Sequence, residues 1–186
     1  MPPDPIEHVM PERPDQPLAT GPDTGAQQHY RALERLYASA PINQKFASSL
    51  HIPGEGLSQL RFTVTPEDYH AAGAAHGTIY FKMLDDAAFY AANTLATDRF
   101  LLTTSFNLHF TKPVRAGTVI AEGRWVTGKR RVFVAEARLV DEAGDEIGRG
   151  TGTFMRSRMA LSSLPGYAAD GAAGAAGAAG AAGPME

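Results

Sequence analysis

One segment, residues 76–95, constrains the fold more than any other part of the chain. It reads HGTIYFKMLDDAAFYAANTL, contains no proline, has no glycine after Gly77 and is rich in helix-forming residues. Its apolar side chains surround the predicted helix instead of forming one stripe, and such a helix is buried on almost all sides. Lys82, Asp85 and Asp86 nevertheless lie in its middle. Because a buried carboxylate is costly unless it is paired or functional, both acids are candidate functional residues.

The segments on either side of this helix have other patterns. A helix is predicted from residue 25 to Pro41, with a short helical turn at 42–47. Alternating apolar and polar residues or flanking turn signals then predict strands at 57–65, 102–111, 119–125, 132–140 and 146–158. Strands joined by short turns need a cover for their apolar face, and the 76–95 helix is the only candidate. We therefore predict an α+β domain, in which one curled antiparallel sheet wraps around a long central helix.

Composition divides the chain into three parts. Seven of the 13 prolines lie in residues 1–22, so residues 1–24 are predicted to be a disordered, acidic, proline-rich tail. A GAA repeat begins at Gly171, and residues 161–186 are predicted to be a flexible Ala/Gly-rich tail. The folded domain is expected to span residues 25–160.

Charge and cysteine content exclude several classes of function. A net charge of −3 argues against nucleic acid as a partner. The absence of cysteine excludes disulfide scaffolds, thiolate zinc sites and cysteine nucleophiles. No apolar run approaches the ~20 residues of a membrane helix, and the N-terminus lacks the pattern of a secretory signal. We therefore expect a cytoplasmic protein with neither a membrane nor a nucleic-acid partner.

Residues 70–85 carry a more specific signal. They read HAAGAAHGTIYFKMLD, which resembles the pattern N-x-x-G-x-x-H-G-G-x-x-F-x-L-x-D of acyl-CoA thioesterases of the phenylacetate and 4-hydroxybenzoyl-CoA type. Residues 110–117 (FTKPVRAG) and 150–154 (GTGTF) resemble later motifs of the same family. The resemblance implies the hotdog fold and the hydrolysis of an acyl-CoA. Two residues depart from the pattern, since His70 replaces asparagine and Thr78 replaces the second glycine.

The resemblance also implies catalytic roles. Asp85 matches the family's acid, as general base on water or as nucleophile, and the Gly77 N–H matches the donor to the thioester oxygen. Thr103 matches a position where related enzymes carry a serine that places the water, although its place in a strand explains it equally well. His70 stands where a donor to the carbonyl or the water is expected, or is an exposed loop residue. Salt bridging to Lys82 is the alternative for Asp85, and the favoured role for Asp86.

Substrate-binding residues are expected at two places. His76 and Thr78 flank the glycine at the helix start, where His76 either contacts substrate or, as we favour, fixes the helix end. Lys129, Arg130 and Arg131 are the densest part of a basic stretch, which either binds the phosphates of coenzyme A or is a solvated turn. The spacing of His70, His76 and Asp85 follows no helical metal-binding pattern, so no metal site is predicted. No cofactor is expected, because coenzyme A is part of the substrate.

Helix geometry predicts an assembly. Gly77 and Asp85 are eight positions apart, which places them about 12 Å apart along the axis. One reacting carbonyl carbon must lie ~3 Å from the working atoms of both residues. Two antiparallel copies of the helix meet this requirement, which predicts an obligate homodimer and, by family resemblance, a homotetramer built from such dimers. A non-catalytic acyl-CoA-binding protein and a hydratase or dehydratase on the same fold are the competing functions.

Overall fold

The computed structural model describes residues 25–168, so the predictions for residues 1–24 and for the tail beyond 168 lie outside it. Four helices and six strands follow in the order α1 (Gly25–Ser39), α2 (Pro41–Phe46), β1 (Ser49–Gly54), β2 (Leu57–Val64), α3 (Gly77–Asn93), β3 (Arg99–Phe110), β4 (Gly117–Thr127), β5 (Val132–Val140), β6 (Glu146–Ala160) and α4 (Pro165–Ala168). Single 3₁₀ turns precede the loop to α3 and follow β6.

All six strands form one antiparallel sheet in the order β1-β2-β4-β5-β6-β3, and α3 packs against it. The predicted curled sheet around a central helix is therefore confirmed. Of the six strands, only β1 was not predicted, since this six-residue strand contains Pro53 and lacks a regular alternation.

The central helix lies close to the sheet because its buried face is made of alanine. Ala87, Ala88, Ala91 and Ala92 are fully buried. Opposite them, β4 carries Gly123, where a Cβ atom would overlap the carbonyl group of Ala87. The Ser58 hydroxyl donates a hydrogen bond of 2.6 Å to this same carbonyl oxygen, which ties β2 to the middle of the helix.

We expect Gly123→Ala to destabilise the fold by about 3 kcal/mol, because the new methyl group forces α3 away from β4. Urea unfolding of the variant measures the loss. The matched control is Gly54→Ala, since a Cβ atom at Gly54 has no neighbour within 4 Å and the change should cost under about 0.5 kcal/mol. Equal stability of the two variants would contradict the proposed close contact.

A β-bulge in β3 decides which of its side chains face the helix. The register with β6 shifts between Thr103 and Ser105. Thr103 consequently points to α3, where it meets Asp85, and Phe106 also points to α3, where its ring centroid lies 5.7 Å from that of Phe81. Simple alternation placed Thr103 and Phe106 on opposite faces, and this part of the prediction was wrong. The extra residue of the bulge brings both onto one face.

The two edges of the sheet differ. On β1, the backbone N–H of Ile52 donates a hydrogen bond of 2.7 Å to the carboxylate of Glu34 on α1, and Pro53 has no N–H to offer. The twelve-residue β3 pairs only with β6 in the described part of the chain. Around it, Phe81, Leu102 and Phe110 are 43%, 52% and 59% exposed. Since exposed edges and apolar side chains favour association, β3 is the edge at which we expect a second copy to pair.

The packed structure extends beyond the predicted boundary at residue 160. Leu161 is fully buried, and α4 places the Tyr167 hydroxyl 2.7 Å from Nδ1 of His29 on α1. Residues 161–168 therefore belong to the folded domain and not to a flexible tail, because Leu161 is buried in the core and Tyr167 contacts His29 of α1.

Candidate active site

The start of α3 leaves one backbone donor available. His76 is the N-cap residue, and its Nδ1 accepts a hydrogen bond of 3.2 Å from the Thr78 N–H. The Thr78 hydroxyl lies 3.0 Å from the same nitrogen. No group of residues 25–168 accepts a hydrogen bond from the Gly77 N–H. Both neighbours of Gly77 thus stabilise the helix start, and the free N–H points where the helix dipole favours negative charge.

Gly77 is also sterically restricted. A Cβ atom at this position would lie 3.2 Å from the ring of Phe110 on β3. That ring packs edge-on against Tyr80, with the centroids 5.2 Å apart. The absence of a side chain keeps the Gly77 N–H accessible beside an exposed aromatic ring.

Asp85 is a half-buried acid with a hydroxyl as its hydrogen-bond partner. Thr103 donates from its hydroxyl to the two carboxylate oxygens, at 3.1 and 3.4 Å. Burial raises the pKa of Asp85 to about 6, and the charge of Asp86 adds to this increase, whereas the Thr103 bond and Lys82 oppose it. A carboxylate with a pKa near 6 is ionised at pH 7 and remains a stronger base than an ordinary aspartate.

Asp86 has different surroundings from Asp85, although the two are adjacent. Lys82 forms an ion pair with Asp86, four residues further along α3. The structure shows no ion pair between Asp85 and any cation of residues 25–168. Of the two acids that were predicted to compete for Lys82, Asp86 therefore binds it, and Asp85 has the Thr103 hydroxyl as its hydrogen-bond partner.

His70 lies in the tight turn before α3. Its exposed side chain accepts a hydrogen bond of 3.0 Å from the Ala72 N–H through Nδ1, and Gly73 in the same turn has a φ of 75°. This is the local hydrogen bond that an asparagine side chain makes to the residue two positions on. The neutral ring then carries its proton on Nε2, which leaves one donor for another group.

The basic turn lies far from Gly77 within one chain. Residues 128–131 join β4 to β5 near the C-terminal end of α3, whereas Gly77 is at its start, about 24 Å away along the axis. Lys129 lies 3.7 Å from Glu55 and 4.9 Å from the ring centroid of Trp125. Arg130 and Arg131 are exposed, and Arg156 on β6 donates to the Arg130 carbonyl at 2.6 Å.

A cleft with a volume of about 740 Å³ adjoins the helix start. Its apolar wall, which the sequence motifs do not indicate, consists of side chains from α2, β2, the following turn and α3: Phe46, Phe62, Tyr69 and Ile79. His76 and Thr78 lie at its border. No signal in the sequence identifies this wall, because its members come from four separate elements.

Residues 25–168 contain neither a metal-binding cluster nor a membrane-spanning helix. No three His, Asp or Glu side chains there are arranged to hold a metal ion. No helix in the same range is long and apolar enough to cross a bilayer.

Comparison with known proteins identifies the class of fold. Residues 72–147 match the family model of the Thioesterase superfamily, and this range includes His76, Gly77, Asp85 and Thr103. The fold is the hotdog fold of that superfamily. No curated protein sequence matches the chain significantly.

Solved structures are similar over almost their whole length. The PaaI protein of the phenylacetic acid degradation operon of E. coli has 18% identity and a TM-score of 0.67, over 73% of this chain and 97% of that one. A thioesterase of Haemophilus influenzae has 17% identity and a TM-score of 0.61, over 68% and 88%. A mutant of the phenylacetic acid degradation protein PaaI of Thermus thermophilus has 24% identity and a TM-score of 0.58, over 63% and 100%.

Proposed function

We propose that this protein hydrolyses an acyl-CoA thioester to the free acid and coenzyme A. The observation that carries the proposal is Asp85, a half-buried carboxylate without an ion pair, whose pKa is raised to about 6 by partial burial. The free Gly77 N–H at a helix start supplies the second group that the reaction needs. The thioesterase names of similar structures support the same reaction class.

In the proposed reaction, Asp85 takes a proton from water, and the water oxygen attacks the thioester carbonyl carbon. The electron pair of the C=O bond moves to the oxygen, which accepts a hydrogen bond from the Gly77 N–H. When the C=O bond reforms, the C–S bond breaks, and the thiolate of coenzyme A leaves and takes up a proton. Alternatively, Asp85 attacks the carbon itself, and the C–S bond breaks with release of the thiolate. Water then hydrolyses the resulting mixed anhydride, which frees the acid and restores Asp85.

The two working groups come from different copies of the chain in this proposal. Gly77 and Asp85 of one α3 are about 12 Å apart along the axis, too far to act on one carbonyl carbon. An isologous pair through the open β3 edge places two α3 helices antiparallel. The start of one helix then lies beside the middle of the other, so each site takes Gly77 from one subunit and Asp85 from its partner.

The same arrangement gives the basic turn a role. In an antiparallel pair, the end of one α3 lies on the same side of the dimer as the start of the other. The turn with Lys129, Arg130 and Arg131 of one subunit is therefore on the side of the partner's Gly77. We propose that it binds the phosphates of coenzyme A there, which explains why turn and glycine are far apart within a chain.

Release of free thiol from a panel of acyl-CoAs tests the proposed function. The panel includes short, medium, long and aromatic acyl groups, and calorimetry with the same compounds measures binding. Turnover of at least one member is expected. Tight binding without turnover would favour the acyl-CoA-binding alternative, and hydration of an enoyl-CoA without thiol release would favour the hydratase.

Thr103→Val tests the partner of Asp85. The pH profile of wild-type kcat/KM should fall on the acid side with a midpoint near pH 6, since the base must be ionised. Loss of the hydroxyl removes a bond that lowers the pKa of Asp85, so the midpoint should rise by roughly 1 pH unit. Thr103→Ser keeps the hydroxyl and should keep the midpoint. An unchanged midpoint in Thr103→Val would leave Thr103 as an ordinary strand residue.

A further inference from the structure

Lys82 is a largely buried lysine with several partners. Its side chain is only 12% exposed. The ammonium group pairs with Asp86, donates a hydrogen bond of 2.6 Å to the Asn43 side-chain oxygen, and lies 3.5 Å from the Tyr37 hydroxyl. It also lies 5.3 Å from the ring centroid of Tyr37 and 5.6 Å from that of Phe46, within the range of cation–π attraction.

The partners of Lys82 are themselves fixed. The Asn43 amide donates a hydrogen bond of 2.8 Å to the Tyr37 carbonyl, which leaves its oxygen directed at the ammonium. The Tyr37 hydroxyl lies 2.6 Å from that of Ser48. Tyr37, Asn43 and Phe46 belong to α1 and α2, before the 72–147 range that matches the family. Lys82 of the central helix is thus held by a layer, α1 and α2, that lies outside the matched range.

Two carboxylates lie within ion-pair spacing of Lys82 on α3. Asp85 is three and Asp86 four residues further along α3, and both spacings permit an ion pair. Contacts from α1 and α2 select the second. If the ammonium moved to Asp85, the buried Asn43 oxygen would lose its donor and Asp86 would lose its ion pair, which is unfavourable.

We propose that Lys82 and Asp86 are positioning residues, through which the α1–α2 layer holds the lysine on Asp86 and keeps Asp85 available for the substrate. This inference rests on the proposed function, since it assigns the pair a role in the same reaction. Three groups face Asp85: Asp86 and Lys82 from its own helix, and the Thr103 hydroxyl from β3. The phenol of Tyr37, from α1, faces Asp86.

The charges of the pair predict opposite effects of two substitutions. Lys82→Met removes a positive charge near Asp85, which disfavours its ionised form, so the acid midpoint of the pH profile should rise by roughly 0.5–1 pH unit. Asp86→Asn removes a negative charge and releases the ammonium, so the midpoint should fall by a similar amount. In Asp86→Asn the freed lysine also pairs with Asp85, and kcat should fall about 10-fold or more.

Arg31→Met is the matched control for charge. Arg31 lies on α1, is exposed and pairs with Glu34, so its loss changes the net charge equally and should leave the midpoint unchanged. If Lys82→Met does not fold, Lys82→Gln replaces it, because glutamine still reaches polar partners without a charge. Unmoved midpoints, or shifts in the same direction in both variants, would overturn the proposal and leave a merely structural pair.

A measurement without turnover separates this proposal from the proposed function. Carboxyl carbon resonances of labelled aspartate report the ionisation of Asp85 directly, assigned by their loss in Asp85→Asn. Opposite shifts of this titration in Lys82→Met and Asp86→Asn support the electrostatic coupling even if no acyl-CoA is hydrolysed. Identical titrations in both variants and the wild type refute it even if hydrolysis is found.

Discussion

Asp85→Asn is expected to lower kcat by about 10²- to 10⁴-fold while the protein becomes more stable. The amide cannot accept a proton from water or form an anhydride, but it has the same shape and still accepts the Thr103 hydroxyl. The gain in stability follows from burial, which raises the pKa of Asp85 from 3.8 to about 6 in the folded protein. Above pH 6 the folded state therefore holds an ionised group that is less stable there than in the unfolded chain.

The pH dependence of this gain has a defined sign. Below pH 3.8 the acid is neutral in both states, so Asn and Asp should give equal stability. The difference should grow as pH rises to 6 and reach about 1–2 kcal/mol at pH 7.5, after allowance for solvent screening. Urea unfolding at pH 4.5 and 7.5, beside thiol release, measures both effects. An active Asp85→Asn variant would refute the proposed base. The unfolding measurement shows whether an inactive variant is folded, so that loss of activity can be assigned to loss of the carboxylate.

Two inactive subunits are expected to form one active site when they are combined. Gly77→Pro removes the backbone donor but suits the first position of a helix, so α3 should still form. This variant and Asp85→Asn should each be nearly inactive as homodimers, the former by about 10²- to 10³-fold. A mixed dimer, purified through two different tags, holds one intact Gly77 opposite one intact Asp85. It should show about half of the wild-type activity.

Two controls sharpen this experiment. Gly77→Ala keeps the N–H and adds only a Cβ atom near the movable ring of Phe110. It therefore distinguishes loss of the N–H donor from steric crowding at the helix start, and it should lose less activity than Gly77→Pro. A double variant with Asp85→Asn and Gly77→Pro on one chain, mixed with wild type, should give an inactive mixed dimer. A mixed dimer of the two single variants without activity would place the whole site within one chain.

Local patterns predicted much of this fold and several contacts of the candidate site residues. The helix at 76–95 was recognisable because apolar residues surround it, and α3 indeed has its alanine face buried and Asp85 and Asp86 in its middle. The favoured roles of His76 at the helix end and of Asp86 as the partner of Lys82 agree with the contacts seen. These features depend on residues within one turn of each other, and such interactions follow from sequence spacing.

Features that depend on distant segments were not predictable. The bulge in β3 changes which of its side chains face the helix, and no local residue type signals it at Thr103–Ser105. The neighbours of Lys82 come from α1 and α2, about 40 residues earlier in the chain. The packing of residues 161–168 on α1 depends on the contact of Tyr167 with His29. In each case tertiary packing decides between options that local patterns leave equal.

The two unlike sheet edges have a consequence for how far the protein can assemble. A sheet open at both edges adds copies without limit and grows into fibres, which is the usual hazard of long edge strands. Within residues 25–168, Glu34 occupies the Ile52 N–H of β1 and Pro53 offers no N–H, so we expect the sheet to extend through β3 and not through β1. In the proposed dimer, the two β3 edges pair with each other and the two β1 edges face outward. We therefore expect growth of the sheet to stop at two chains.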